Sequence, residues 1–290
     1  MTVWTSAWLH GTVAADDVLD SLLPWAELHE VVAADEPTAL LLDLPEPTAV
    51  PVSPAMLLAA LRRGGATSAR LLLPVPGDVR GLGSSHGAFS ADALRAGQAV
   101  LLPEAELGVV PVRIADGILR WTVHRVGAGR GIEYLGLAEA EHAMRDAVRE
   151  AATTLSALDI ARHRPEVRKE IADTLASRPR PPWPSGTPGR VLRVLEQADE
   201  VAAILAAAAG ESTAVLAGPL SGGATGAWAG NGGRMAGGQL HGHVDGAVSA
   251  KELAARSAAL RPLASAVRSA RLAAVAEAVR ALTDHRAEHH

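Results

Sequence analysis

The stretch LGVVPVRIADGILRWTVHRV, residues 107–126, decides the fold class of this chain. Two runs of apolar and β-branched residues, 107–114 and 118–126, flank the dipeptide Asp116-Gly117. Asp-Gly between two such runs favours the tight turn that joins neighbouring antiparallel strands. The stretch therefore predicts a β-hairpin, and with it a sheet that is at least partly antiparallel.

Four other apolar runs in the first half of the chain have the length and composition of strands. They are the segments 2–9, 38–44, 69–75 and 98–103. In the first of them Trp4 and Trp8 would share one face of a strand, because side chains alternate with a period of two. Short helices are predicted where helical spacing or helix-start signals occur, at 14–23, 54–63 and 90–96.

Beyond the hairpin the hydrophobic pattern changes from strand to helix. Apolar residues recur at helical spacing in four segments, at 137–163, about 165–177, 189–209 and 249–283. Pro262 would kink or divide the last of these helices. Strands first and helices afterwards predict an α+β fold. We expect a strand-rich part at 1–135 and a helical part at 136–290, with a flexible Gly-rich loop at about 210–246.

The composition excludes several function classes. The chain has 290 residues, of which 48% are hydrophobic and 20% charged, as in a folded protein with a sizeable core. The absence of cysteine excludes disulfides and thiolate catalysis, and it fits a reducing compartment. No apolar run approaches the ~18 residues that a membrane span needs, and no secretory pattern opens the chain. We expect a soluble, cytoplasmic protein.

Charge and aromatic content argue against nucleic-acid binding. Aromatic residues make up 3% of the chain and do not alternate with basic ones, as they do in proteins that stack bases. The first 61 residues contain acids but no Lys or Arg. Such an acidic end repels nucleic acid and could attract a basic partner, although a solvated acidic face is the alternative. The acids are Asp16, Asp17, Asp20, Glu27, Glu30, Asp35, Glu36, Asp43 and Glu46.

The string GQLHGHVDGAVS, residues 238–249, is the candidate metal site. His241, His243 and Asp245 alternate with small residues, and imidazole and carboxylate groups are ligands that suit zinc, iron or manganese. The string partly resembles the HxHxDH signature of the metallo-β-lactamase superfamily. Gly246 stands where that signature has its last histidine. A metal-dependent hydrolase is therefore one alternative function, and a flexible polar loop is the other interpretation of these residues.

A second candidate site is the loop at 76–87, which follows the apolar run at 69–75. Asp78 and Arg80 lie two positions apart on it, and loops held by a strand often carry binding residues. A small-molecule binding site is the functional interpretation. The alternative is a local Asp–Arg ion pair that orders the turn.

Two further strings have a motif-like form. GSSHG at 83–87 matches G-x-S-x-G with Ser85 as nucleophile, but that chemistry needs a serine directly between a strand and a helix. The glycine tract at 218–233 lacks the lysine and the strand–turn–helix frame of a phosphate loop. Both are interpreted as loops.

Several phrases resemble those of an uncharacterised family of actinobacterial proteins. They are PVPGDVRGL (74–82), GLAEAEHAMRDAVREA (136–151), PWPSGTPGRVLRVLEQADEVAAIL (182–205) and ARSAALRPLASAVRSARLAAV (255–275). The resemblance implies no activity.

The several amphipathic helices and the lack of a complete catalytic motif favour a non-catalytic binding or assembly protein. The helical part would pack on the sheet, or would pair with a protein partner or a second copy through apolar stripes left over. We expect no cofactor, no nucleic acid and no membrane among the binding partners.

Overall fold

A computed structural model describes residues 1–82, 87–127, 135–157, 167–177, 182–209 and 250–287 of the chain. The N-terminal half contains one sheet of five strands. The strands are β1 (Leu28–Ala33), β2 (Arg70–Leu72), β3 (Ala99–Leu102), β4 (Leu107–Ala115) and β5 (Ile118–Arg125). Their order across the sheet is β1-β5-β4-β3-β2. Strands β1 and β5 are parallel, whereas the other neighbours are antiparallel, so the predicted mixed, partly antiparallel sheet is confirmed.

The predicted hairpin forms from β4 and β5, with Val109 opposite Val123. Asp116 and Gly117 form the connection between the last paired residues, Ala115 and Ile118. Gly117 has a φ of +69°, but Asp116 is not among the residues with positive φ, and the register shifts between Arg113 and Ala115. An extra residue in one strand increases the local twist.

Nine helices occupy the described parts of the chain. Five belong to the N-terminal half: α1 (Thr2–Leu9), α2 (Ala15–Asp20), α3 (Glu36–Leu42), α4 (Pro54–Arg63) and α5 (Ala88–Ala96). Four follow the sheet: α6 (Leu137–Ala157), α7 (Val167–Ala176), α8 (Gly189–Ala209) and α9 (Ala250–Ala287). Helix α9 continues through Pro262. A mixed sheet in the N-terminal half, followed by helices in the described C-terminal half, confirms the α+β class.

Two of the predicted strands are wrong, because α1 occupies residues 2–9 and α3, which ends at Leu42, occupies most of 38–44. The first segment is buried around most of its circumference as α1, so its apolar residues carry no period that separates strand from helix. The second becomes α3 because Asp35 caps it, with its carboxylate accepting a 2.9 Å hydrogen bond from the Thr38 N–H. The sequence interpretation also missed β1, whose residues His29 and Glu30 look like a polar interruption.

Helices cover both faces of the sheet. On one face α3 and α4 pack against β1 and β5 over a buried cluster that includes Val31, Leu42, Leu57, Leu61 and Trp121. On the opposite face α5 packs against β4 and β5. Gly108 permits this contact, since a Cβ atom there would lie 2.3 Å from Cε2 of Phe89. The buried cluster under α5 includes Leu72 of β2, Leu101 of β3 and Val110 of β4.

Helix α9 is the central element of the helical part. It packs against α6, α8 and α1, and it also contacts β2. Alanines on its buried sides allow the neighbouring helices to approach closely: Ala264, Ala270, Ala273, Ala274 and Ala278. The same helix therefore contacts both halves of the molecule. None of the helices in the described parts of the chain has the length and apolar character to cross a lipid bilayer.

Candidate functional site

The loop that carries Asp78 and Arg80 is a tight turn beside α9. The Val75 N–H donates to the carbonyl of Asp78 at 3.0 Å, and the Asp78 N–H donates to the carbonyl of Val75 at 2.8 Å. Gly77 closes this turn with a φ of +85°, a conformation that favours glycine. The turn fixes the direction of the Asp78 side chain.

Asp78 and Arg80 bind each other. Two nitrogens of the Arg80 guanidinium donate to the two carboxylate oxygens of Asp78, each at 2.7 Å. Arg268 of α9 donates to the same carboxylate from Nη2 at 3.4 Å. The hydrogen bonds from Arg80, followed by the charges of Arg80 and Arg268, lower the pKa of Asp78 to about 2.

This geometry matches the interpretation of the loop as a turn ordered by an ion pair. It adds a third group, Arg268, which sequence reasoning missed because no local pattern connects residues 190 positions apart. The Nε atom of Arg268 is buried and has no hydrogen-bond partner among the residues described. The ligand-binding role of Asp78 and Arg80 stays a prediction.

The other candidate residues lie outside the described residues. This applies to His241, His243 and Asp245, to Ser85, and to the glycine tract at 218–233. Within the described ranges no group of three or more His, Asp or Glu side chains is arranged to hold a metal ion. The metal-site hypothesis for the HxHxD string stays a prediction.

His29 is a satisfied core histidine. The indole Nε1 of Trp121 donates to its Nδ1 at 3.1 Å, and because indole is only a donor, the neutral ring carries its proton on Nε2. That nitrogen donates to the carbonyl of Leu22 at 3.0 Å. Burial lowers the pKa of His29, so the ring is neutral near pH 7. Its contacts are structural.

His124 is more deeply buried and less well satisfied. Its side chain is 3% exposed, and Nε2 lies 3.5 Å from an Asp92 carboxylate oxygen without a hydrogen bond. The ring of Phe89 meets it edge-on, with centroids 5.7 Å apart. Burial lowers the pKa of His124, although the charges of Asp92 and Asp35 act in the opposite direction. A substrate cannot reach this ring.

One face of the sheet remains open toward the hairpin end. Strand register places Val112 opposite Arg120, and pairs Arg120 with Glu30 and Ile118 with Leu28. The five residues share one face because paired residues and alternate residues do so. We call this surface the open face. Arg120 donates to Glu30 at 2.7 Å in its centre, while Leu28 and Val112 are exposed around the ion pair.

The helical part buries many of its apolar side chains in its own core. A single buried cluster contains residues of α6, α8 and α9. Among the helical residues after the sheet whose exposure the structure describes, the exposed large apolar ones are Val148 and Ile204. The open face is therefore a stronger candidate contact surface than the helical stripes that the sequence suggested.

Comparison with known proteins gives the family. A family model described as "Rv1486c-like protein, N-terminal domain" matches residues 1–134, and one described as "Rv1486c-like protein, C-terminal domain" matches 138–221. The chain belongs to the Rv1486c-like family. This confirms the resemblance to an actinobacterial family, since the relatives below are mycobacterial.

Three relatives show how far the similarity extends in the Rv1486c-like family. "Uncharacterized protein Rv1486c" of Mycobacterium tuberculosis is 35% identical over 242 residues, which cover 73% of this chain and 82% of the relative. "Uncharacterized protein ML1804" of Mycobacterium leprae is 30% identical over 95% of this chain and 94% of its own. "Uncharacterized protein MAV321" of Mycobacterium avium is 31% identical with the same coverage. No solved structure matches the chain.

The names of these Rv1486c-like proteins state no activity. The turn with Asp78 and the open face both lie within the part that the N-terminal family model matches, whereas Arg268 lies beyond both matched ranges. The contact between Asp78 and Arg268 thus joins the N-terminal domain to the last helix.

Proposed function

We propose that this chain is a non-catalytic assembly protein that pairs with a second copy of itself through the open face. The observation that carries the proposal is the exposure of Leu28 and Val112 beside the Glu30–Arg120 ion pair. Apolar side chains that leave water at an interface are the main driving force of association.

The charge of the open face suits a second copy. A two-fold interface must be complementary to itself, because the same residues come from both partners. A surface of one sign would repel its own copy. Here Arg120 neutralises Glu30, so two copies would meet with neutral centres and apolar surroundings.

The size of the open face sets the expected strength. Stable homodimers usually bury ~800 Å² or more on each partner. The side chains of three short strands supply less than that, so we expect a dissociation constant of about 1–100 µM, in the range of weak, reversible association. We place this assembly in the cytoplasm, which fits a chain without cysteine.

The experiment is a mass measurement by light scattering and sedimentation across concentrations from well below to well above this range. The wild type should shift from 29.9 kDa toward twice that mass as concentration rises. Val112→Asp should stay monomeric, because a carboxylate would lose its water in the interface. Val148→Asp is the matched control, since Val148 is 38% exposed on α6 and Val112 is 40% exposed. A monomeric wild type, or equal effects of both substitutions, would rule out this interface.

A further inference from the structure

Helix α3 presents a second apolar surface, on the other side of the sheet from the open face. Its two exposed leucines are Leu40, which is 78% exposed, and Leu41, which is 59% exposed. The opposite side of α3 is buried through Thr38, Ala39 and Leu42. Two adjacent exposed leucines on one short helix form a contact surface that nothing in the described residues covers.

Acidic residues lie at both ends of this surface. Glu36 opens α3, and Asp43 ends it in the left-handed conformation with a φ of +51°. Asp43 is paired with Arg63 at 3.1 Å, whereas Glu36 has no ion-pair partner in the described residues. We call Glu36, Leu40, Leu41 and Asp43 the α3 ledge. Its net charge is negative even with Arg63 counted.

The charge decides which occupant fits. Two copies of the α3 ledge would bring the unpaired Glu36 carboxylates of both copies into one apolar interface, and like charges that lose water there weaken association. Acidic residues also repel anionic lipids and nucleic acid. We propose that the α3 ledge binds a basic amphipathic helix of a partner protein. Such a helix lays its apolar stripe on Leu40 and Leu41 while a Lys or Arg residue meets Glu36, and a second basic residue competes with Arg63 for Asp43.

The position of the α3 ledge makes this proposal independent of self-association. Ala39 and Leu42 belong to the buried cluster with Val31 and Trp121, so α3 covers the sheet face opposite the open face. Both surfaces can be occupied at once. The monomeric variant Val112→Asp should therefore retain binding at the α3 ledge.

The experiment uses the full chain and a fluorescent synthetic peptide of 18 residues, with leucines at helical spacing on one side and lysines and arginines elsewhere. Fluorescence anisotropy should show saturable binding that weakens steeply with salt. Leu40→Ser/Leu41→Ser should weaken binding at least tenfold. Glu36→Gln/Asp43→Asn should weaken it severalfold and reduce the salt dependence.

Matched controls distinguish binding at the α3 ledge from a general attraction of the basic peptide to an acidic protein. Asp16→Asn/Asp20→Asn removes the same two charges from α2 and should change the affinity less than twofold. A peptide with the same leucines and glutamates in place of the basic residues should not bind. The proposal is wrong if the basic peptide does not bind, if the leucine variant binds it as well as the wild type, or if the α2 variant loses as much affinity.

Discussion

The side chains of Asp78 and Arg268 meet across 190 positions of the chain, with Arg268 Nη2 3.4 Å from Asp78 Oδ2. Arg80 holds the same carboxylate from the other side at 2.7 Å. The turn after β2 is therefore fastened to α9 by one carboxylate between two guanidinium groups. The contact depends most on Asp78. Replacing one arginine leaves Asp78 bound to the other, whereas replacing Asp78 removes both ion pairs.

Replacing Asp78 with Asn should make the protein less stable at neutral pH by about 1–2 kcal/mol. The pKa of Asp78 falls from an ordinary 3.8 to about 2, which corresponds to about 2 kcal/mol, reduced here because Arg80 is largely exposed. A lowered carboxyl pKa stabilises the folded state above the unfolded value near 4, and the effect is lost as pH falls through about 2.

Urea unfolding from pH 7 down to pH 2.5 checks this prediction. The difference between wild type and Asp78→Asn should be largest at pH 7 and should shrink below pH 4. Asp173→Asn is the control, because Asp173 forms a fully exposed pair with Lys169 and should change stability little. A pH-independent difference for Asp78→Asn would contradict the assignment.

Replacing Gly108 with Ala should destabilise the protein by about 3 kcal/mol. The new Cβ would lie 2.3 Å from Cε2 of Phe89, and overpacking a filled core forces side chains and backbone to move. Gly108→Ala/Phe89→Leu should recover part of the loss, because the smaller side chain vacates that space. Thermal and urea unfolding measure both. Gly127→Ala, which meets nothing within 4 Å, is the matched control and should be near neutral.

Elements that depend on residues close together in the sequence can be predicted from that sequence. The hairpin followed from Asp116-Gly117, and α4 from Pro54 at its first position after Ser53. The strands predicted where α1 and α3 lie are wrong, because in short apolar runs such as 2–9 and 38–44 the spacing of side chains does not separate a strand from a helix. Strand β1 was missed because Trp121 and Arg120, about 90 positions away, satisfy His29 and Glu30.

The candidate surfaces were less predictable than the elements. Asp78 and Arg80 could be selected because they are neighbours in sequence, but Arg268 could not. The open face depends on which residues of β1, β4 and β5 lie opposite one another, and the register shift near Ala115 contributes to that pairing. Sequence alone does not give such a register.

Replacing His124 with Gln should reduce the pH dependence of stability between about pH 7 and pH 5. Burial lowers the pKa of His124 below its ordinary 6.5, so below that pH the unfolded chain binds a proton that the folded chain refuses. Wild-type stability should therefore fall as pH falls through this range. His29 adds to the effect in the same direction and keeps a residual slope in the variant.

The measurement for His124 is the free energy of unfolding against pH, compared as slopes because the substitution also changes packing. Equal slopes for wild type and His124→Gln would show that the buried ring does not titrate differently on unfolding.

Reversing the charges of Glu30 and Arg120 tests whether the open face needs an ion pair at this position or needs these two particular side chains. Arg120→Glu alone places two carboxylates where a 2.7 Å pair now stands, so it should weaken self-association and lower stability. Glu30→Arg/Arg120→Glu restores one charge of each sign on the open face and should regain most of both losses. Sedimentation equilibrium gives the dimer constant, and urea unfolding gives the stability of the monomer. If the double variant folds stably but stays monomeric, the ion pair stabilises the sheet without contributing to the interface.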